Sequence, residues 1–296
     1  MTRQIKLNGF AWIDVLAVVL LLAGLLVVLQ PALDRERRLR NMTACSDNLQ
    51  AIGKAISAYA GEYDGMLPVA GGRDTKWGGA LRNWSAASRQ NAFGLDPNGS
   101  GGQATISSSL YLLVRHMELA PKTFVCKVDG KTREFRAKDY GPTRNGPAGF
   151  WDFGPTPQIH CSYAYQMVYS PYRPHGQTSS EPGFAIAADR DPWIDPPFGK
   201  AGDFSKFTPD LRPYGGTAEQ ANQGNAFAHQ RRGQNVLFLD MHVDWQMRAY
   251  CSLEDDNIYT SWDGRDKARG VPPRLASEPA SLNDSLLVND PVSATK

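Results

Sequence analysis

Two histidines and two aspartates are the side chains in this sequence whose types suit a bound cation. Asp189 follows an apolar run, His229 precedes a second run, and Asp240 and His242 flank a turn after it. Imidazole and carboxylate groups hold divalent metals in many hydrolases. However, none of these residues has the spacing of a metal motif such as H-E-x-x-H, and turn aspartates commonly cap backbone amides. We predict a structural role for the set, with a metal site of Asp189, Asp240 and His242 as the alternative.

The neighbouring charges Asp189, Arg190 and Asp191 allow two interpretations. They form either an ion-pair cluster at a strand end or a calcium-binding loop. The sequence contains no nucleophile elbow, Walker A loop or dinucleotide-binding fingerprint. We therefore predict that the chain is not an enzyme, has no catalytic residue and needs no cofactor. A metal-dependent hydrolase using Asp189, Asp240 and His242 is the alternative within the enzyme class.

A further carboxylate, Asp14, lies inside the otherwise apolar stretch of residues 9–29. Residues 10–29, at about 1.5 Å per residue, would form a helix of about 30 Å, which is enough to cross a bilayer core. The stretch is longer than the apolar core of a secretory signal peptide, so we predict a retained transmembrane helix over residues 10–30. A carboxylate inside such a helix costs about 2.5–3.5 kcal/mol on insertion scales, so its presence there requires an explanation.

The helical pattern resumes after Pro31 and predicts one amphipathic face up to residue 63. Asp64, Gly65 and Pro68 then end the helix. We predict one helix over about residues 10–63 whose second half packs on a globular head. The apolar positions, spaced three and four apart, are Met42, Cys45, Leu49, Ile52, Ile56, Tyr59 and Tyr63.

Shorter patterns predict an α+β head with an antiparallel sheet. Residues 106–117 are typical of a short helix, and residues 235–239 and 242–247 are typical of the two strands of a β-hairpin that turns at Asp240-Met241. Further strands are predicted over residues 123–126, 161–169 and 184–189.

The four cysteines have no C-x-x-C spacing, so a zinc knuckle is not expected. In an oxidising compartment they could form one or two disulfides, and Cys126–Cys161 is the first pair to test. The connectivity cannot be determined from the sequence alone. With 32 basic and 30 acidic residues, the net charge of +2 creates no global field for nucleic acid, and we predict no nucleic-acid partner.

The leader, the Gly9-Phe10 junction and the acidic residue Asp14 resemble the amino terminus of type IV prepilins and type II secretion pseudopilins. The resemblance implies that a prepilin peptidase cuts after Gly9 and methylates Phe10. It also implies that Asp14, at a position usually held by glutamate, pairs with the terminal amine of a neighbouring subunit. Pro31 falls where many pilins carry a helix-kinking proline.

Two other segments resemble one pilin-like group, the DUF1559-related, G-like proteins. Its C-x-x-N-L-x-Q-I-G and H-x-x-G-x-N-V-L-F-x-D-G-H-V-x-W patterns are similar to residues 45–53 and 229–245. Met241 replaces the usual turn glycine, and we expect a wider turn because positive φ suits glycine. By analogy with some pseudopilins, any metal bound by the head would be calcium.

The resemblance implies a leader over residues 1–9, a transmembrane and assembly helix over 10–30 and a pilin-like head over 31–270. The polar, Pro-rich composition beyond Ser261 predicts a flexible tail over residues 271–296. The implied function is a structural subunit of a pilus or pseudopilus. Its partners would be the prepilin peptidase, the membrane, other pilins and copies of itself. The resemblance places the head outside the cytoplasm of an inner-membrane protein. The arginines over residues 35–40 argue the other way by the positive-inside rule, and we follow the resemblance.

An alternative function is a membrane-tethered binding module. The Gly-, Ser- and Asn-rich residues 71–105 include Trp77 and Trp84, and exposed indoles can recognise a glycan or a surface partner. Indoles in such a segment more often anchor a long loop to its own domain.

Overall fold

The computed structural model describes residues 12–141, 146–172 and 181–292. The chain divides into two compact units, residues 1–41 and 42–296. The first helix, α1, runs over Trp12–Glu62 and contains Pro31. The predicted long helix is therefore present, and it ends one residue before the predicted boundary.

The end of α1 is set by two residues in the left-handed region, Asp64 with φ 52° and Gly65 with φ 74°. The Gly65 amide donates to the Ala60 carbonyl at 2.8 Å, which satisfies a carbonyl that the helix leaves free. Glycine adopts positive φ without steric cost, so the chain turns here into the rest of the head.

The centre of the second unit is a five-stranded antiparallel sheet. Its strand order is β6-β5-β4-β3-β9, and every neighbouring pair in it is antiparallel. The strands are β3 (Tyr163–Gln166), β4 (Ala185–Asp189), β5 (Gln234–Phe238), β6 (Val243–Gln246) and β9 (Leu287–Val288). The α+β class and the antiparallel sheet agree with the prediction, as do the segments of β4 and of the β5–β6 hairpin.

The sheet is buried on both faces. Tyr163, Tyr165 and Leu237 belong to the larger core cluster, which includes Leu49 and Ile52 of α1. The alternate side chains of the same strands enter a second cluster on the other face; they include Ala164, Val236 and Phe238. Because successive strand residues point to opposite faces, burial of both faces requires apolar residues at consecutive positions. The strands β3, β4 and β5 supply them, whereas the edge strand β6 is partly exposed.

The second half of α1 approaches β5 closely at Gly53. A Cβ atom placed on Gly53 would lie 2.7 Å from Cδ1 of Leu237, closer than side chains normally approach. Gly53 therefore lets the helix lie against the sheet at this point, which is a physical reason for a glycine inside the helix.

The remaining elements are short. The helices are α2 (Arg89–Phe93), α3 (Ile106–His116) and α4 (Ala218–Asn222). A parallel pair joins β1 (Lys76–Trp77) and β2 (Gln103–Ala104), and an antiparallel pair joins β7 (Ser261–Asp263) and β8 (Asp266–Val271). Single 3₁₀ turns occur at Pro121–Phe124, Ala137–Tyr140, Gly146–Gly149, Pro157–Ile159, Phe204–Lys206, Phe227–His229 and Leu253–Asp255.

Two predictions about these segments were wrong. Residues 123–126 were predicted to be a strand, but residues 123–124 belong to the 3₁₀ turn Pro121–Phe124 and residues 125–126 follow it without forming a strand. Residues 271–296 were predicted to be a flexible tail, yet Leu287–Val288 form the edge strand β9 beside β3, and residues 284–290 are buried. Three apolar residues in a row, 286–288, give this segment the burial that a polar tail lacks.

Candidate functional site

The first unit exposes a long apolar surface of α1. Its large apolar side chains over residues 15–29 are 43–73% exposed, and none of its most apolar window is buried. Among the described residues, α1 is the one helix that is long and apolar enough to cross a membrane, judged by its length and composition. These side chains are Val15, Leu16, Val18, Val19, Leu20, Leu21, Leu22, Leu25, Leu26, Val27, Val28 and Leu29.

The predicted processing and assembly residues are Gly9, Phe10 and Asp14, near the amino end of the sequence. Gly9 and Phe10 lie outside the described residues. Asp14 belongs to α1, and its side chain lies outside what the structure describes. The roles of all three residues stay predictions.

Asp189 and His229 meet in the interior of the head. Asp189 ends β4, and its Oδ2 accepts hydrogen bonds from Asn235 N at 2.7 Å and from Asn235 Nδ2 at 3.2 Å. His229 ends a 3₁₀ turn, and its Nε2 lies 3.2 Å from the same oxygen. The His229 ring is held edge-on against Trp245, with 5.2 Å between ring centroids. The side chains of Asp189 and His229 are 0% and 5% exposed, so this polar group is shielded from water.

Asp240 and His242 form a separate, exposed pair at the hairpin turn. The His242 amide donates to Asp240 Oδ1 at 3.1 Å, and the His242 ring contacts the same oxygen. Partial desolvation by itself would raise the pKa of Asp240, but these two hydrogen bonds and the nearby imidazole hold that pKa below its ordinary value. The pair caps the turn, as a turn aspartate commonly does.

The predicted metal set of Asp189, Asp240 and His242 is wrong. Asp189 lies beside Asn235 near the start of β5, whereas Asp240 follows the other end of that strand. At about 3.3 Å per residue, the strand separates them by roughly 15 Å, too far for one ion. The buried aspartate and the exposed pair therefore belong to different environments.

The turn itself is wider than a two-residue hairpin, but Met241 still adopts the positive φ that it was expected to avoid. Phe238 pairs with His242 through a bond of 3.0 Å, so three residues form the loop, and Met241 takes a positive φ of 70°. This is the common three-residue hairpin, whose last loop position is left-handed.

The disulfide connects different cysteines from the pair first considered. Cys45 of α1 is bonded to Cys126, with 5.3 Å between their Cα atoms, and Cys161 is a free thiol. The predicted Cys126–Cys161 bond is therefore wrong. Burial raises the pKa of the Cys161 thiol to about 12, so this thiol stays protonated and unreactive. The physical reason is the packing of α1 on the sheet, which brings Cys45 to Cys126.

The charged residues after β4 form an ion pair rather than a calcium loop. Arg190 donates to Asp129 Oδ2 at 2.9 Å, and the two side chains are 5% and 11% exposed. Asp191 accepts from the Trp193 amide at 2.6 Å, and Asn289 accepts from the Asp191 amide at 3.1 Å. Each of these groups has a separate protein partner, which supports the ion-pair interpretation.

The tryptophans of the long loop lie against the head. Trp77 is 7% exposed, and its indole donates to Asp290 at 2.8 Å. Trp84 is partly buried and packs on Phe150 and Tyr140, with centroid distances of 4.8 and 5.0 Å. Both indoles therefore anchor the loop to the head.

No protein-family model, curated protein or solved structure matches this chain. Its function must therefore be inferred from its own residues and geometry.

Among the described residues, one cluster of side chains could hold a metal ion. It combines the disulfide cysteines with the buried Asp189–His229 pair, which the sequence gave no reason to place together. Cys45, Cys126, Asp189 and His229 are all buried, and one ligand atom of each lies within 4.8 Å of the others. The sequence pattern singled out Asp189 and His229, but gave no reason to place the two cysteines beside them. Only the contact of α1 with the ends of β4 and β5 brings the four residues together.

Proposed function

We propose that this chain is a membrane-anchored structural subunit of a pilin-like filament. The observation that carries the proposal is the apolar helix surface of residues 15–29, which is exposed within the chain itself. Monomeric soluble proteins rarely expose contiguous apolar patches larger than a few hundred Å². Such a surface requires either lipid or the equivalent helices of other subunits.

Both environments suit a filament subunit, since it would wait in the membrane and then assemble. Burying a Leu or Val side chain contributes about 1.5–3 kcal/mol relative to leaving it in water, so either environment stabilises this helix strongly. Lipid gives little hydrophobic drive between helices, and packing and charge pairing must then govern the transfer from lipid to filament.

Asp14 is the residue to which we assign that charge pairing. In the proposed sequence of events, a prepilin peptidase removes residues 1–9 and leaves Phe10 with a free, methylated amine. The carboxylate of Asp14 then pairs with the amine of Phe10 in a neighbouring subunit. The pairing offsets the cost of a carboxylate in an apolar environment. The head, residues 42–296, would lie outside the cytoplasm, in a periplasmic or extracellular filament.

The test is filament assembly in cells that express the chain with a prepilin peptidase and an assembly machinery. We expect Asp14→Ala to abolish filaments that can be sheared and pelleted, because breaking a buried ion pair costs about 3–5 kcal/mol per contact. Asp14→Glu keeps the carboxylate and should assemble. Asp47→Ala, at an exposed position of α1 in the head, is the control and should also assemble.

Normal filaments from Asp14→Ala would contradict the proposed role of Asp14. An equal amount of each protein in the membrane fraction shows that differences arise at assembly, not at insertion.

A further inference from the structure

We propose that Cys45, Cys126, Asp189 and His229 form a tetrahedral Zn²⁺ site when the two cysteines are reduced. The disulfide in this structure is then the oxidised, metal-free form of the same site. This proposal does not depend on filament assembly, because it concerns the interior of the head.

The four ligand atoms are already gathered to within 4.8 Å of one another. In a tetrahedral zinc site, bonds of about 2.0–2.3 Å place the ligand atoms about 3.3–3.8 Å apart. Two thiolates, one imidazole and one carboxylate are all zinc ligands, and four ligands complete a closed structural site. Reaching this geometry requires the two sulfurs to separate by side-chain rotation.

Asp189 has the feature that points most directly to a missing ligand. Its Oδ1 is buried and has no hydrogen-bond partner in the part of the chain that the structure describes. A buried, unsatisfied polar atom costs about 1–3 kcal/mol, and more for a charged group. A cation bound at the cluster would give Oδ1 the partner that it lacks.

Arg190, which follows Asp189 at the end of β4, has other partners. The Arg190 guanidinium donates to Asp129, at 2.9 Å, and to the carbonyls of Gln158 and Cys161. It is therefore committed to other acceptors, and the side chains that contact the Asp189 carboxylate are those of His229 and Asn235.

The surroundings also hold the ligands in position. Asn235 donates twice to Asp189 Oδ2, and Trp245 packs edge-on against the ring of His229. Such outer contacts orient metal ligands and commonly contribute about 10–100-fold in affinity. The ligands come from α1, from the segment after Pro121–Phe124, from β4 and from the turn Phe227–His229. A bound ion would thus tie four separate segments of the head together.

Conversion between the two forms balances as a dithiol–disulfide exchange followed by metal binding. A small dithiol reductant gives two electrons and two protons to the Cys45–Cys126 bond and becomes a cyclic disulfide. Cys45 and Cys126 are then thiols, and each loses its proton when its sulfur binds Zn²⁺. The two released protons pass to solvent.

The test measures Zn²⁺ bound to the full-length protein in detergent, with and without a dithiol. We expect about one Zn²⁺ per chain only after reduction. We also expect that Co²⁺ can replace Zn²⁺ and that it then shows the absorption bands of tetrahedral thiolate coordination.

The matched pair of variants is His229→Gln, in the cluster, and His242→Gln, at the exposed hairpin turn. His229→Gln should weaken Zn²⁺ binding by more than about 100-fold, since even outer-shell partners contribute about 10–100-fold. His242→Gln should leave Zn²⁺ binding unchanged.

Thermal unfolding of the wild-type protein provides a measurement that does not depend on whether the variants fold. Because the metal joins separate segments, Zn²⁺ should raise the Tm of the reduced wild-type protein and leave that of the oxidised protein unchanged. No Zn²⁺ bound to the reduced wild-type protein, or no rise in its Tm, would overturn the proposal. Equal Zn²⁺ affinities for the His229→Gln and His242→Gln variants would also overturn it.

Discussion

The indole of Trp77 donates a hydrogen bond of 2.8 Å to the carboxylate of Asp290, which lies 213 positions further along the chain. The same carboxylate accepts from the backbone amides of Ile106 and Ser107, at 3.0 and 2.8 Å. These are the first two residues of α3, whose amides have no partner within the helix. Asp290, near the end of the described chain, therefore caps the amino end of α3 and anchors β1 through Trp77.

This relationship predicts that Asp290→Ala destabilises the head by about 1–3 kcal/mol, because it leaves one indole and two amide donors unpaired inside the protein. Glu278→Ala is the matched control, since Glu278 lies in the same C-terminal stretch and is exposed. The free energy of unfolding, measured in urea, should fall for the first variant and stay within about 0.5 kcal/mol for the second. Equal stability of the two variants would show that Asp290 does not hold the head together.

The disulfide predicts a specific pattern among cysteine variants. Replacing Cys45 and Cys126 by alanine opens a loop that spans 81 residues, and the chain-entropy relation gives about 4.5 kcal/mol for it. Cys161→Ala, which removes a buried thiol with no disulfide, should cost less. Urea unfolding of both proteins under non-reducing conditions provides the comparison.

Peptide mapping of the unreduced protein gives an independent check. It should recover a Cys45–Cys126 cross-linked peptide and an unmodified Cys161. A Cys126–Cys161 peptide would contradict the packing of α1 on the sheet described above.

The buried carboxyl of Asp152 predicts how stability depends on pH. Burial, with the nearby Asp290 carboxyl second, raises the pKa of Asp152 from 3.8 to about 8. The folded protein therefore holds this proton more tightly than the unfolded chain. Its stabilising contribution is complete below about pH 4 and is lost as the pH rises through about 8.

Replacing Asp152 by asparagine imitates the neutral acid and should flatten this pH dependence. The Oδ1 that accepts from the Phe153 amide at 2.7 Å is kept as an amide oxygen. We expect the wild-type protein to lose unfolding free energy between pH 5 and pH 9, and the Asp152→Asn variant to lose less. Asp47→Asn, at an exposed position of α1, should behave like the wild-type protein. Parallel pH profiles for all three proteins would contradict the assignment.

The exposed helix predicts how the chain partitions in cells. Full-length protein should stay with membranes after alkaline carbonate washing and be released by detergent. Protein lacking residues 1–41 should be soluble, because residues 42–296 form a compact unit with their own core. Release of the full-length protein by carbonate would show that the helix does not span the bilayer.

The periodicity of apolar residues predicted α1 and the β5–β6 hairpin. The apolar positions of α1 recur every three or four residues, and Leu49, Ile52 and Ile56 are indeed buried. The β5–β6 hairpin forms where it was predicted, with Met241 in its turn. Helical and strand periodicities are visible in single sequences because they result from the geometry of the backbone itself.

Contacts between distant segments could not be predicted in the same way. The Cys45–Cys126 bond depends on where α1 lies on the sheet, and an even number of cysteines allows several pairings. The strand Leu287–Val288 has two residues, too few for any periodicity. The pairing of Asp189 with His229 depends on strand order, whereas the prediction joined Asp189 to the turn residues Asp240 and His242.

The proposed filament function is tested most directly by intact mass and amino-terminal sequencing of the full-length protein, expressed with and without a prepilin peptidase. The proposal predicts that the peptidase removes residues 1–9 and that Phe10 then carries one methyl group. That result would place the head on the far side of the membrane from the cytoplasmic peptidase, against the count of flanking arginines. A chain that stays uncut with active peptidase would contradict the proposal and favour a membrane-tethered binding module.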